Sequence, residues 1–497
     1  MTVKLRRMVL LALCFSLGTT YAQNTDSRLE ALEQEMKMMR EALSQKDEQI
    51  RKLEALVKQS LGKSSDDAQS LLDKYVADVD VPTTSTAGKP GIDLGGTRLN
   101  LAEVSVIVNV AAGASTLHNE DIGQIQGGAH DPNERGFTFQ QLELSLAGSV
   151  DPYFNMQAHI IFLEDAVELE EAFAVSQALP ANLELKAGYY FTEFGRMNPA
   201  HPHTWDFLDQ PIINSRIFGG DGMRGAGARL SWLTALPWFS ELSLGMQDAT
   251  GERMASFLGE GLAHGHGEEH GEEEEEEHHF EEGIGGRPIL EREIRDLEEF
   301  VYSIRLANSF EVGDDLSMQL GLSGLAGANN TGDEGETLVY GADLVVKHHP
   351  AGSDLRRPKW VWQTEIMKRE YDADAAVIEE EAPEPDIVFA EDTIDDWGIY
   401  SQFVYTLNPD WSIGLRGEFA TSDGDSYEEG EIIDSDADPF RGERLRISPV
   451  MLYHPSEFTR IRLQHNYDDA DYLEDDDAHS LWLGFEWLIG KHPAHRY

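Results

Sequence analysis

The chain has 497 residues, 41% of them hydrophobic, a single cysteine and a formal net charge of -52. So acidic a balance argues against nucleic acid as a partner and in favour of cations. The one cysteine, Cys14, lies in an N-terminal leader, so the mature chain has neither a disulfide framework nor a thiolate metal site.

Lys4, Arg6 and Arg7 precede an apolar run from Met8 to Leu17 and then Thr20-Tyr21-Ala22, which is the pattern of a secretory signal over residues 1–22. A lipid anchor on Cys14 is disfavoured, because Leu13 stands where a small residue is expected. Past the leader, no stretch reaches the roughly 20 apolar residues of a membrane helix, so any span has to be built from strands.

Residues 23–61 carry heptads, with Leu29, Met36, Leu43, Ile50 and Val57 at one seam position and Leu32, Met39, Lys46, Leu53 and Ser60 at the other. This predicts a periplasmic coiled coil joining chains through residues 29–60, with a homotrimer as the expected assembly. The mixed Leu, Met and Ile seam does not fix that number. The alternative is a lone amphipathic helix lying on the barrel or contacting peptidoglycan. Residues 62–95 turn polar around Val81-Pro82-Thr83 and read as a tether.

From residue 96 to residue 490 apolar and polar residues alternate in about 16 segments. Leu142, Leu144 and Leu146 share one face, and Gln141, Glu143 and Ser145 the other. Trp411, Ile413, Leu415 and Phe419 against Ser412, Arg416 and Glu418 repeat the pattern. Strands are expected to begin near residues 97, 136, 153, 167, 181, 224, 238, 298, 315, 336, 358, 394, 410, 442, 457 and 478. The fold class is therefore all-β, a transmembrane antiparallel barrel with lipid outside and a wet lumen.

Connections alternate in length. Val150-Asp151-Pro152, Leu407-Asn408-Pro409 and His454-Pro455-Ser456 are tight periplasmic turns. The long connections 112–135, 192–223, 248–297, 370–393, 422–441 and 469–477 all follow odd-numbered strands and so emerge outside. These loops hold Glu272 to Glu277, Glu379 to Glu381, Asp423 to Asp438 and Asp468 to Asp477, which would make the mouth anionic. Plain surface hydration would explain that acidity equally well. Pro493 breaks the alternation, leaving residues 491–497 as a tail with His492 and His495.

Within the loop 248–297 stands EGLAHGHGEEHGEEEEEEHHFEE, from Glu260 to Glu282. His264, His266, His270, His278 and His279, with Glu268, Glu269 and Glu281, are candidate metal ligands. Imidazole with carboxylate suits zinc, nickel or copper(II) rather than magnesium. Without fixed spacing, ordering entropy opposes tight binding, so the expectation is weak capture of Zn2+ or a similar divalent cation and no resident cofactor. Drift in a tolerant loop is the plainer account of such a run.

The run AGYYFTEFGRMNPAHPHTWDFLDQPIINSRIFGGDG contains Phe194-Gly195-Arg196, Asn198-Pro199-Ala200-His201-Pro202-His203 and Asp209-Gln210-Pro211. With GFTFQQLELSLAGSVDPYF upstream and the tail GKHPAHRY, it resembles the outer-membrane proteins described as zinc-regulated or TonB-dependent. A TonB-dependent transporter resembles a larger barrel of about 22 strands plugged from within, and only heptads and tether precede the first strand here. The layout is instead similar to trimeric porins with an N-terminal coiled coil, such as sucrose-porin-like channels.

In general porins the third outer loop narrows the pore. That resemblance makes residues 192–223 the constriction, with Arg196, His201, His203, Asp206, Asp209 and Arg216 as its polar residues. The His201-x-His203 spacing suits a metal in transit, because alternate residues of an extended segment point the same way. Pro199 and Pro202 support a purely structural alternative. No nucleophile elbow, no H-E-x-x-H pair and no distinguishable Ser, His and Asp set argues for an enzyme. The expectation is a passive, cation-favouring outer-membrane channel assisting divalent metal acquisition, with a metal-buffering or adhesive surface barrel as the alternative.

Overall fold

The computed structural model describes residues 92–94, 97–259, 281–290, 292, 294, 296–350, 357–378, 386–428 and 430–490. The leader, the heptads, most of the tether, the tail, Glu268, Glu269 and all five histidines of the His/Glu loop lie outside the described residues.

Sixteen strands make the wall. They are β1 (Thr97–Ser115), β2 (Gly136–Ser149), β3 (Phe154–Phe162), β4 (Val167–Ser176), β5 (Leu183–Phe191), β6 (Arg224–Leu233), β7 (Phe239–Gln247) and β8 (Val301–Val312). They continue as β9 (Leu316–Ala328), β10 (Glu336–His348), β11 (Trp360–Ala373), β12 (Asp392–Thr406), β13 (Trp411–Asp423), β14 (Arg444–Ser456), β15 (Thr459–Ala470) and β16 (Asp477–Gly490). Each pairs antiparallel with the next, and β1 closes on β16 with Ser105 opposite Gly490 and Ser115 opposite Ser480. No sheet edge of the wall is left for lipid to meet. A short extra strand, Ile92–Leu94, folds back on the foot of β1, within what the sequence reads as tether.

The alternation that predicts these strands is the alternation they display. Along β12, Ile394, Asp396, Tyr400 and Val404 are buried while Trp397, Ile399 and Phe403 are exposed. Along β14, Arg444, Arg446 and Ser448 face in, and Leu445, Ile447 and Met451 face out. Exposed aromatics gather toward both strand ends: Tyr302, Tyr340 and Trp397 toward the end that carries the outer loops, and Trp232, Phe239, Trp362, Phe403 and Trp487 toward the other. An apolar waist between two aromatic belts is what a bilayer selects. That girdle, on a closed sheet with polar residues inside, makes this an outer-membrane barrel.

Three differences from the sequence reading matter for the site. The first long loop starts at Thr116 rather than 112, because β1 runs through Ser115. Asp468 is not a loop acid at the mouth: it lies in β15, fully buried, with the Arg444 and Arg446 guanidiniums on it. And β4 carries a bulge, with His159 opposite Glu171 and Ile160 opposite Leu169, so that Glu170 is the extra residue. A bulge lets two consecutive side chains face one way, and both Glu170 and Glu171 are buried inside the barrel.

Candidate functional site

The third outer loop, 192–223, lies inside the barrel. Its neck is drawn together by Asn198, whose amide donates to the carbonyls of Thr192 at 2.8 Å and Met223 at 3.1 Å and whose Oδ1 accepts from the Met223 N–H at 2.8 Å. Gly195 sits at φ +58, with its N–H donating to Ser323 Oγ and that of Arg196 to Glu365 Oε1, both at 3.1 Å. A Cβ at Gly195 would fall 1.5 Å from Glu365 Oε1. The Phe-Gly-Arg step therefore exists to bring backbone flat against β11.

Beyond the neck, Pro211 leads into a short helix, α1 (Ile212–Phe218). Its Ile212, Ile213, Ile217 and Phe218 pack with Phe194, Met197 and Trp205 of the same loop and with Met367, Tyr400 and Ala420 of the wall. Met254 and Phe257, from the start of the next long loop, join them. Burying each such side chain contributes about 1.5–3 kcal/mol, so an apolar kernel stands where a wide aqueous pore would have none.

On one side of this kernel the loop meets an arginine-rich wall. The Asp209 carboxylate accepts from Arg416, from Arg446 at 3.0 Å, from Gln464 at 2.8 Å and from Asn466 at 2.6 Å, all on β13 to β15. Four donors fill the acceptor capacity of a carboxylate. Burial alone would raise its pKa, but the Arg416 and Arg446 guanidiniums outweigh that and lower it to about 2. Glu418 takes Arg416 Nε at 2.6 Å, and Asp468 takes Arg446 Nε at 2.7 Å, so each guanidinium is paired twice.

At a second stretch of wall, the same loop meets β2, β3 and β4 through imidazole and carboxylate. His201 Nδ1 lies 2.9 Å from Glu170 Oε2 and 3.5 Å from Glu143 Oε1, while its Nε2 lies 3.0 Å from Glu171 Oε2. His203 Nδ1 is 2.7 Å from Glu143 Oε2, and His159 Nδ1 is 3.2 Å from Glu143 Oε1. Glu171 is held in turn by Lys186 at 3.6 Å and by the Phe191 N–H at 3.0 Å. Burial pulls the His201 pKa down, but Glu170 and Glu143 more than reverse it, raising the imidazole well above its ordinary value.

Among the described residues, two groups of three have ligand atoms all within 4.8 Å of one another: Glu143 with His201 and His203, and His159 with Glu171 and His201. Imidazole and carboxylate without thiolate is a donor set for zinc and its neighbours. Likeness to porins leads to the expectation that His201 and His203 stand in a constriction; what it misses is the wall that faces them. Glu143 is legible as lumen-facing, and the Glu170-Glu171 doublet, which interrupts strict alternation, is the visible trace of the bulge.

The other residues read from the sequence have different surroundings. Arg216 donates to the carbonyls of Arg441 at 2.7 Å and Gly442 at 2.8 Å, and burial lowers its pKa to about 10. It braces α1 against a neighbouring outer loop. Arg196 is half-buried near Glu365 and Asp343, and Asp206 is half-buried in the field of Arg460 and Arg462. Of the external metal-ligand set only Glu281 is described, and it is exposed.

No protein-family profile matches the chain. An uncharacterized protein of Aquifex aeolicus (strain VF5) is 28% identical over 390 residues, covering 74% of this chain and 73% of that one. Among solved structures, the outer membrane channel DcaP of Acinetobacter baumannii is 11% identical, covers 80% of this chain and 99% of its own, and has a TM-score of 0.45. The trimer form of OmpT from Vibrio cholerae is 8% identical, with 78% and 98% covered and a TM-score of 0.43. OprD of Pseudomonas aeruginosa is 8% identical, with 79% and 96% covered and a TM-score of 0.39. Likeness at this level adds nothing to what the closed sheet establishes by itself.

Proposed function

We propose that this barrel is a porin-like, cation-favouring outer-membrane channel in which the third outer loop is the gate. The observation that carries the reading is that loop's path: it crosses from the arginine wall of β13–β15 to the glutamate and histidine wall of β2–β4. A segment clamped at one side by saturated fixed charges and held at the other by two imidazoles has one permanent and one exchangeable attachment. The net charge of -52 favours cations at the mouth. The His/Glu run 260–282 would supply weak external capture of zinc or a similar ion, and residues 29–60 would join three chains.

A metal-buffering surface barrel that conducts nothing is the second reading, and the apolar kernel around α1 is the observation in its favour. Reconstitution of the mature chain in planar bilayers under a salt gradient tests both. A reversal potential of cation-selective sign, with conductance rising in Asp209→Ala, is the expected result. Anion preference, or silence in both proteins, overturns the channel.

A further inference from the structure

We infer that Glu143, His201 and His203, with Glu170 completing the set, bind one divalent metal ion of zinc-like chemistry inside the barrel, and that this ion staples the third outer loop to the wall. The inference deepens the gate reading above by naming what regulates it, and it concerns a site separate from the external His/Glu run.

Geometry comes first. A tetrahedral ion with bonds of about 2.0–2.2 Å needs donor atoms about 3.3 Å apart. One ligand atom each from Glu143, His201 and His203 lies within 4.8 Å of the others, with His203 Nδ1 to Glu143 Oε2 at 2.7 Å and His201 Nδ1 to Glu143 Oε1 at 3.5 Å on either side of that value, and Glu170 Oε2 lies 2.9 Å from His201 Nδ1.

Orientation comes second. A ligating imidazole uses one nitrogen for the metal and anchors the N–H of the other on a carboxylate, which fixes tautomer and ring plane. With Nδ1 turned to Glu143 and Glu170, His201 has its Nε2 3.0 Å from Glu171, and Glu171 is itself held by Lys186 and the Phe191 N–H. Glu171 is thus a positioning residue.

Charge comes third. Glu143, Glu170 and Glu171 gather three carboxylates into a buried volume beside Lys186, a field that favours a cation at the imidazole nitrogens, whether proton or dication. Ligands held in place by the fold should bind the dication more tightly than the external run, whose ligands have no fixed spacing.

The consequence for the gate follows from which strands own the ligands. Glu143 belongs to β2 and Glu170 to β4, whereas His201 and His203 belong to the loop. An ion that needs all of them binds the docked loop and not an undocked one. At a hundredfold excess over its dissociation constant it would favour docking about a hundredfold. Entry would then be self-limiting, with plentiful metal closing the channel that scarce metal leaves free to open.

The test uses the full mature chain in detergent, with His264, His266, His270, His278 and His279 changed to Asn to silence the external run. Zn2+ alone is titrated against a chromophoric chelator, and Co2+ absorption reports coordination. One ion per chain is expected, lost in His203→Asn and in Glu143→Gln, and weakened about 10–100-fold in Glu171→Gln with a shifted Co2+ band. Heat-modifiable electrophoretic mobility shows which variants keep the folded barrel, and His203, at the edge of the cluster, is the variant to rely on if Glu143→Gln fails to fold. No bound ion, or unchanged stoichiometry and affinity in folded His203→Asn, overturns the site. Conductance falling with zinc and restored by chelator, but indifferent to zinc in His203→Asn, supports the staple; zinc-indifferent conductance in the parent chain overturns it. A chain that binds one ion and never conducts refutes the channel reading alone, and one that conducts and binds none refutes the site alone.

Discussion

The two walls that hold the lumen loop solve the same problem with different chemistry. At β13–β15 the loop contributes one carboxylate, Asp209, and the wall contributes donors that do not lose charge at physiological pH, Arg416 and Arg446, with Gln464 and Asn466 completing the shell. At β2–β4 the polarity is reversed: the loop contributes imidazoles and the wall contributes Glu143, Glu170 and Glu171. Guanidinium and carboxylate have no third partner to exchange with. Imidazole and carboxylate do, because both are metal ligands. On the proposed reading one attachment persists and the other is conditional, which is the asymmetry a hinged gate requires.

The strongest way to break the comparison is Asp209→Ala. Removing one member of a buried ion pair costs about 3–5 kcal/mol, and the lower end is expected because Glu418 and Asp468 continue to face the arginines. Protease cleavage within 192–223 and tryptophan fluorescence should both report an undocked loop, while heat-modifiable mobility shows an intact barrel. If Asp209→Ala leaves the loop as protected as His203→Asn does in zinc-free buffer, the two attachments are not different in kind. Ile217→Ala sharpens the same contrast from the middle: it deletes a fully buried side chain from the kernel between the walls and should cost about 2–5 kcal/mol of docking. Its effect should be the same with and without zinc once expressed as a change in free energy, because Ile217 touches neither attachment. A zinc-dependent penalty would mean that the kernel and the metal cluster are coupled.

How much of this was legible in the sequence divides along the same line. Strand starts fall within about three residues of the reading, the largest offset being 298 against Val301, since lipid on one side and water on the other dictate side-chain polarity residue by residue. The inward fold of 192–223 came from likeness to porins, not from its own residues. Its partners could not be read, because Glu143 and Glu170 lie far from His201 in the chain and meet it only once the sheet closes. The bulge at Glu170 shows the limit most clearly: strict alternation would send either Glu170 or Glu171 into lipid, and only the local loss of register turns both inward. Asp468 errs in the other direction, an acid in an acidic run that the closing strand carries inside to two arginines.

The smallest expected effect separates the two attachments by pH, without touching the metal ligands. Asp209 has its pKa lowered to about 2, so its contribution is fully present above the ordinary 3.8 and is lost only as pH falls from there toward 2. The arginine anchor should therefore be at full strength at pH 5. Asp131, in the first outer loop, has the opposite sign. It accepts the Gln210 N–H at 2.9 Å on one oxygen and the Gly128 N–H at 2.9 Å on the other, and burial, then the nearby Asp209 charge, raise its pKa to about 8. A raised pKa stabilises the docked state fully below 3.8, and that contribution declines as pH rises through the window up to about 8. Protection of the segment 192–223 from protease should thus fall between pH 6 and pH 9 in zinc-free buffer, and Asp131→Asn, which keeps the shape without the charge, should reduce that slope, the remainder being the share of His201, whose raised pKa acts with the same sign. Protection that rises over this interval, or a slope that Asp131→Asn leaves unchanged, would place the pH-sensitive joint elsewhere than between the first and third outer loops.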